Sequence, residues 1–323
     1  MSITEVRYFP LLFERQMEWL YSVLDWSRVR EGFKLRELLL GDGFGLMTLD
    51  INELRERYEG SHHLLVTSDD VNLFMRKWEP KTETPRQTAM LILHGITAYS
   101  GPYTMIAEPL SERGFTVYGL DLRGHGLSDG NRGDCPSKER FVTDICEAIA
   151  FVNEHHESVV MIGHSLGILS SIFAMKHCLQ NISGSVLLSG GLTPKVDLAR
   201  EMSIAQKLKI LFSSIFTPSR QVIKYEREGM VGLNDPLFNF RYTLRFIRLV
   251  SFDDIEFPEK LDFPVFVGIG DSDELFSVDS CRELYEGIPS DSKEFYVAKG
   301  AKHAEFPDGA WDPLIEWVDS KFS

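Results

Sequence analysis

From His63 onward, short apolar runs alternate with longer stretches whose apolar positions recur every three or four residues. Leu64 to Thr67 and Val71 to Trp78 are β-favouring runs separated by Ser68-Asp69-Asp70, which predicts a hairpin. Further along come Met90–Leu93, Thr116–Leu120, Val159–Ile162, Ser185–Leu188, Pro264–Ile269 and Glu294–Val297. Short apolar segments of this kind suit a parallel sheet covered on both faces, whose strands need not alternate with polar residues. Between two of them, Phe141, Ile145, Ile149 and Val152 mark one face of a helix. Alternating strands and helices predict an α/β fold built on a mostly parallel, doubly wound sheet.

The alternation is interrupted twice. Residues from about Tyr8 to Tyr58 form a helical preamble, with Leu12, Met17, Leu20 and Leu24 near helical spacing. Its break, Gly41-Asp42-Gly43-Phe44-Gly45, lacks the flanking strand and glycine spacing of a dinucleotide loop and is read as a flexible turn. Between about Leu192 and Pro258 the pattern is again helical. Ile204, Leu208, Leu211, Phe212 and Ile215 share one side, and an aromatic group follows from Phe238, Phe240 and Tyr242 to Leu249. The expected organisation is an N-terminal helical extension over 1–61, an α/β core over 62–191 and 259–323, and a helical cap over 192–258 inserted between two strands.

With 323 residues, 43% of them hydrophobic, the chain can bury a sizeable core. No run approaches the roughly 20 apolar residues that span a bilayer, and the N-terminus lacks a signal-peptide pattern. A cytoplasmic location is therefore expected. The net charge of −14 opposes phosphate backbones and anionic lipid, which argues against nucleic-acid partners. Cys135, Cys146, Cys178 and Cys281 have no metal-like spacing and are expected to be reduced and incidental.

Gly163-His164-Ser165-Leu166-Gly167 follows an apolar strand and precedes a helix-compatible run. A serine on such a strand-to-helix turn projects its hydroxyl at the C-terminal edge of the sheet, and small residues two positions to either side let the turn pack tightly. A hydroxyl attacks poorly until an imidazole takes its proton. In this arrangement the acid and then the histidine follow the serine. Of the histidines after Ser165, His177 falls within the next helix, whereas His303 lies in a loop just past the last strand. His303 is thus the candidate base. Gly270-Asp271-Ser272-Asp273-Glu274 offers three carboxylates to orient it. Spacing favours Asp273, with Asp271 as the alternative and Glu274 the weakest. The backbone amides of Ile96, in the His94-Gly95-Ile96 loop, and of Leu166 are the candidate oxyanion donors. His94 is expected to anchor that loop.

Taken together, His94-Gly95, the run from Asp121 to Ser128, Gly163 to Gly167, the Gly270-to-Asp273 turn and His303 resemble the monoacylglycerol lipases. They are also similar to the wider lysophospholipase-like and serine-aminopeptidase-like α/β-hydrolases. The resemblance covers roughly Leu64 to the C-terminus. It implies a helical cap over an apolar acyl channel, an ester substrate, a Ser165–His303–Asp273 triad, an acyl-enzyme, and no metal or organic cofactor. It makes Asp121 to Ser128 a structural loop in which Arg123 and His125 are not catalytic. Ile168 stands where such lipases usually carry a second glycine, and the preamble has no counterpart in them. The preamble is assigned to the acyl site, the cap or a homodimer contact, and the cap to weak contact with neutral lipid surfaces. Other serine-hydrolase chemistries on this fold, namely lysophospholipase, thioesterase, carbon–carbon bond hydrolase and aminopeptidase, are the alternatives, followed by a non-catalytic binding module.

Overall fold

The computed structural model describes residues 50–322, apart from 181, 196–209, 211, 214, 227–229 and 251–254. Most of the preamble, and positions 204, 208 and 211 of the expected cap helix, therefore lie outside the described residues.

The first described element is a short helix, α1 (Ile51–Glu56), capped by the Asp50 carboxylate, which accepts from the Asn52 and Glu53 amides. The hairpin follows as β1 (His62–Val66) and β2 (Asn72–Trp78), paired antiparallel, with Asp70 at φ 59° in the turn. Next come β3 (Thr88–Leu93), a 3-10 turn (Gly101–Tyr103), α2 (Thr104–Glu112), β4 (Val117–Leu120) and α3 (Lys138–Asn153). The candidate nucleophile sits between β5 (Ser158–His164) and α4 (Leu166–His177), and β6 (Ile182–Leu188) follows. After the insertion the chain resumes with β9 (Val265–Gly270), α6 (Val278–Gly287), β10 (Lys293–Ala298) and α7 (Asp312–Lys321). Within the insertion lie β7 (Ile223–Lys224), β8 (Arg241–Tyr242) and α5 (Leu244–Leu249).

Among the described residues, eight strands join one sheet in the order β1-β2-β4-β3-β5-β6-β9-β10. In this sheet β2 pairs antiparallel with β1 and β4, and the series β4-β3-β5-β6-β9-β10 runs parallel. Successive residues of the central strands feed opposite layers. Met90, Ile92, Val160, Ile162, Val186, Leu188 and Phe266 meet α2 and α7 on one face. Leu91, Leu93, Val159, Met161, Leu187, Val265 and Val267 meet α3, α4 and α6 on the other. Both layers are buried, which is why these strands read as apolar runs. On α3 the expected face is realised: Phe141, Ile145, Ile149 and Val152 are buried, and Ser137 caps the helix by accepting from the Arg140 amide at 3.2 Å. Strand ends differ from the expected bounds by one to three residues, because polar terminal residues such as Thr88 and Lys293 still join the ladder.

Two expectations need correction. The aromatic part of the insertion is not helical throughout. Phe238, Phe240 and Tyr242 alternate with period two, and β8 pairs antiparallel with β7; helix begins only after Thr243, whose hydroxyl accepts from the Phe246 amide. The cysteines are not all unpaired either. α3 and α4 pack side by side, which brings Cys146 and Cys178, 32 residues apart, to a Cα separation of 5.7 Å as a disulfide. Cys135 and Cys281 are free and buried. Disulfides persist in oxidising compartments, so cysteine usage no longer supports a cytoplasmic location. Among the described residues no helix is long and apolar enough to cross a membrane.

Candidate active site

The turn between β5 and α4 holds Ser165 at φ 54°, ψ −114°. A non-glycine residue in this region is strained by about 1–3 kcal/mol and persists only where its surroundings impose it. Here they do. The Ser165 amide donates to the Leu188 carbonyl at 2.9 Å. A Cβ on Gly163 would lie 2.2 Å from the Gly167 carbonyl oxygen, and one on Gly167 would lie 1.9 Å from that of Leu93. Both glycines are therefore steric requirements of the turn. Ile168 has its own complement: it is fully buried, and its Cδ1 occupies space that a Cβ on Gly190 would enter at 2.3 Å.

Three loops at the C-terminal edge of the sheet converge on this turn. His303 Nε2 is 3.0 Å from Ser165 Oγ, and its Nδ1 is 3.0 Å from Asp273 Oδ2. A carboxylate only accepts, so Nδ1 carries the proton and Nε2 is left to accept from the serine hydroxyl. The other oxygen of Asp273 accepts from the Leu275 and Phe276 amides at 2.8 and 2.9 Å. Burial of Asp273 raises its pKa, but the His303 hydrogen bond and charge, with the two amides, outweigh it and hold the carboxyl below its ordinary value. Asp271 lies elsewhere: its carboxylate accepts from the Gly300 amide at 2.8 Å and from Ser272, tying together the loops after β9 and β10. Glu274 accepts from the His303 backbone amide at 3.1 Å rather than from the ring. His177 is exposed at the end of α4, away from this cluster.

The Leu166 amide opens α4 and has no carbonyl one turn behind it to bond, a standing donor beside Ser165. In the β3 loop, His94 Nδ1–H donates to the Gly95 carbonyl at 2.8 Å while Nε2 accepts from the Leu122 amide at 3.0 Å. Because Gly95 C=O and Ile96 N–H share one peptide plane, fixing the carbonyl also aims the Ile96 amide. The Asp121 loop is structural in its contacts: Asp121 accepts from the Ser100 and Leu127 amides, and Arg123 pairs with Asp144 and Asp69.

A buried relay that sequence inspection did not single out links these loops. Gly95 N–H donates to the Tyr103 hydroxyl at 2.9 Å, that hydroxyl donates to His164 Nδ1 at 2.8 Å, and His164 Nε2–H donates to the His303 carbonyl at 2.8 Å. An amide at one end and a carbonyl at the other leave only this direction open. Burial, joined by the neighbouring His303, lowers the His164 pKa to about 3, so the ring stays neutral. His164 was visible in the motif, yet nothing in the sequence marks Tyr103 as its partner 61 residues away.

The cluster opens into a cavity of about 420 Å³, whose walls include Ile96, Met105, Ile106, Val231, Phe238 and Phe306. Glu274, Lys302 and Glu305 also line it, the last two ion-paired at 2.5 Å.

Comparison with known proteins places these features in a family. A family model described as "Serine aminopeptidase, S33" matches residues 84–308. Monoglyceride lipase of Rattus norvegicus is 26% identical over 284 residues, covering 82% of this chain and 92% of the relative. An uncharacterised abhydrolase domain-containing protein of Dictyostelium discoideum is 27% identical over 239 residues, which make up 70% of this chain and 25% of that longer protein. Among solved structures, the monoacylglycerol lipase of Paleococcus ferrophilus superposes with a TM-score of 0.61 at 24% identity, covering 77% of this chain and 99% of that one. The matched region runs from just before β3 to the loop beyond His303 and takes in every residue of the cluster, so the chain belongs to the serine aminopeptidase S33 family and has the α/β-hydrolase fold.

Proposed function

We propose that this chain is a serine carboxylic-ester hydrolase acting through an acyl-enzyme, most closely a monoacylglycerol lipase-like esterase on apolar acyl esters. The supporting observation is the unbroken pair of 3.0 Å contacts from Asp273 through His303 to Ser165. Ser165 Oγ attacks the carbonyl carbon as His303 Nε2 takes its proton, and the oxyanion is held by the Ile96 and Leu166 amides. The imidazolium, stabilised by Asp273, returns the proton to the departing alcohol. His303 then activates water to release the acid. The 192–258 insertion serves as a cap, and the apolar wall that Val231 and Phe238 contribute suits an acyl chain.

The description of the matching family favours a second reading, removal of an N-terminal amino acid from a peptide. Such a substrate needs a carboxylate for its ammonium group, and Glu274 and Glu305 line the cavity. Both are already engaged, Glu274 with the His303 amide and Glu305 with Lys302, which favours the ester. Hydrolysis of chromogenic esters from short to long acyl chains, beside aminoacyl anilides, separates the two. The expected result is ester turnover that rises with chain length and is lost in Ser165→Ala. Turnover of anilides alone, or full activity in Ser165→Ala, would overturn the proposal.

A further inference from the structure

The β3 loop that carries the Ile96 amide is not held by the core alone. Two of its carbonyls are bonded by the insertion: the Tyr242 hydroxyl donates to Ile96 C=O at 2.8 Å, and the Asn239 amide donates to Thr97 C=O at 2.8 Å. Tyr242 shares its proton with the Asn239 carbonyl, so one hydroxyl joins both strings of contacts. The ring is fully buried, stacked on Phe246 at 5.4 Å and against His125 at 6.2 Å. This part of the insertion is itself fastened to the core. Arg132 donates to the Leu237 carbonyl at 2.8 Å, the Thr243 amide donates to the Gly133 carbonyl at 3.0 Å, and the Tyr99 hydroxyl donates to Asp235 at 2.9 Å. The approach is close enough that a Cβ on Gly133 would lie 1.9 Å from the Arg241 carbonyl oxygen.

On the His94 side, the Gly95 carbonyl is fixed; on the Tyr242 side, the Ile96 carbonyl is fixed. The Ile96 residue is thus clamped at both of its peptide planes, one by the core and the other by the insertion. We infer that Tyr242 is a positioning residue for the oxyanion, so that residues 239–242 of the insertion form a fixed part of the active centre instead of a cover that lifts away. This rests on the ester-hydrolase proposal for the identity of the oxyanion donors. Its role is to hold geometry without touching substrate. Loss of the hydroxyl frees the Ile96–Thr97 peptide, leaving the Ile96 Cα, and with it the amide on its other side, held from the His94 side alone. The cost falls on the tetrahedral state, where the negative charge develops, more than on ground-state binding.

The test compares wild type with Tyr242→Phe, which keeps the ring and removes the hydroxyl. An alkyl trifluoromethyl ketone captures Ser165 as a tetrahedral oxyanion, and the matching alkyl alcohol fills the same cavity without forming one. In Tyr242→Phe, kcat should fall about 10- to 100-fold, below the full loss of an oxyanion donor, with KM changed less than about twofold. The ketone's inhibition constant should rise by a similar factor while the alcohol's stays put. Phe246→Leu, which loosens packing beside Tyr242 but leaves its hydroxyl, should lower the Tm and leave kcat and ketone affinity near wild type. Unchanged kcat and ketone affinity in Tyr242→Phe would overturn the inference. So would an equal loss of both in Phe246→Leu, since the effect would then be general loosening. A wild-type chain that captures the ketone yet hydrolyses no ester would overturn the ester proposal alone, and the ketone comparison would then decide the clamp by itself.

Discussion

Two neighbouring aspartates, Asp271 and Asp273, offer the same functional group two residues apart, and only their partners separate them. Asp273 meets the His303 ring and two amides, while Asp271 closes a loop through Gly300. Asp273→Asn should therefore reduce kcat by about 10³- to 10⁴-fold, because the amide no longer enforces the tautomer that leaves Nε2 free. Asp271→Asn should cost less than tenfold. Steady-state rates for the two variants decide, and the reverse order would move the acid to Asp271. The buried histidines carry a different consequence. His94, His125 and His164 are all held below their ordinary pKa chiefly by burial, so each is neutral when folded and binds a proton more readily when unfolded. The unfolded state then takes up more protons as the pH falls below about 6.5, and stability present above that value is lost on acidification. For His164 the loss runs at about 1.4 kcal/mol per pH unit toward about pH 3, and His94 and His125 add to it in the same direction. Asp273, lowered in the fold, adds to the loss below its ordinary range. Urea unfolding at pH 7.5 and 5.5 measures this; equal midpoints would show that the rings are protonated in the fold.

At the scale of elements, Ile168 takes the place of the second glycine usual after such a serine motif, and the structure places its compensation just past the end of another strand. The chain leaves β6 at Ser189-Gly190-Gly191, and the missing Cβ of Gly190 makes room for the Ile168 side chain. Gly190→Ala should therefore destabilise by about 1–3 kcal/mol through overpacking against α4. The same change in an Ile168→Ala background should cost markedly less. Thermal unfolding of the four proteins tests the coupling, and additive shifts would show that the two positions do not share space. The insertion shows how period governs element type. Phe238, Phe240 and Tyr242 are as apolar as a helix face, but their spacing of two suits extended chain, and helix waits for the Thr243 cap.

Over the whole molecule, the charge of −14 acts at long range without regard to the site. An anionic lipid surface should repel the protein, and added salt should screen that repulsion over a distance of about 10 Å at 0.1 M. Hydrolysis of a long-chain ester presented in anionic vesicles should rise between 20 and 200 mM salt, while the rate in neutral micelles stays nearly flat. A fall in the anionic case would point to a local basic face that outweighs the net charge.

How much of this was legible in advance follows from the range of the interactions involved. The sheet, its parallel character and the strained serine turn were readable because each depends on neighbours within a few residues: apolar runs, a helical face on α3, and glycines two positions from Ser165. Chain order on this fold pointed to His303, which the structure brings to 3.0 Å from Ser165, and to the amides of Ile96 and Leu166, whose part as oxyanion donors belongs to the proposed mechanism. The partners that separate Asp273, favoured by spacing, from Asp271, the pairing of Cys146 with Cys178, the match of Ile168 to Gly190, and the contacts of Tyr103 and Tyr242 are seen only in the tertiary structure. Each joins residues that folding brings together from separate loops or helices, or depends on which way a carboxylate in a tight turn faces. Periodicity and local propensity carry no information about such contacts, since they are set by how the layers pack and where the loops at one sheet edge converge.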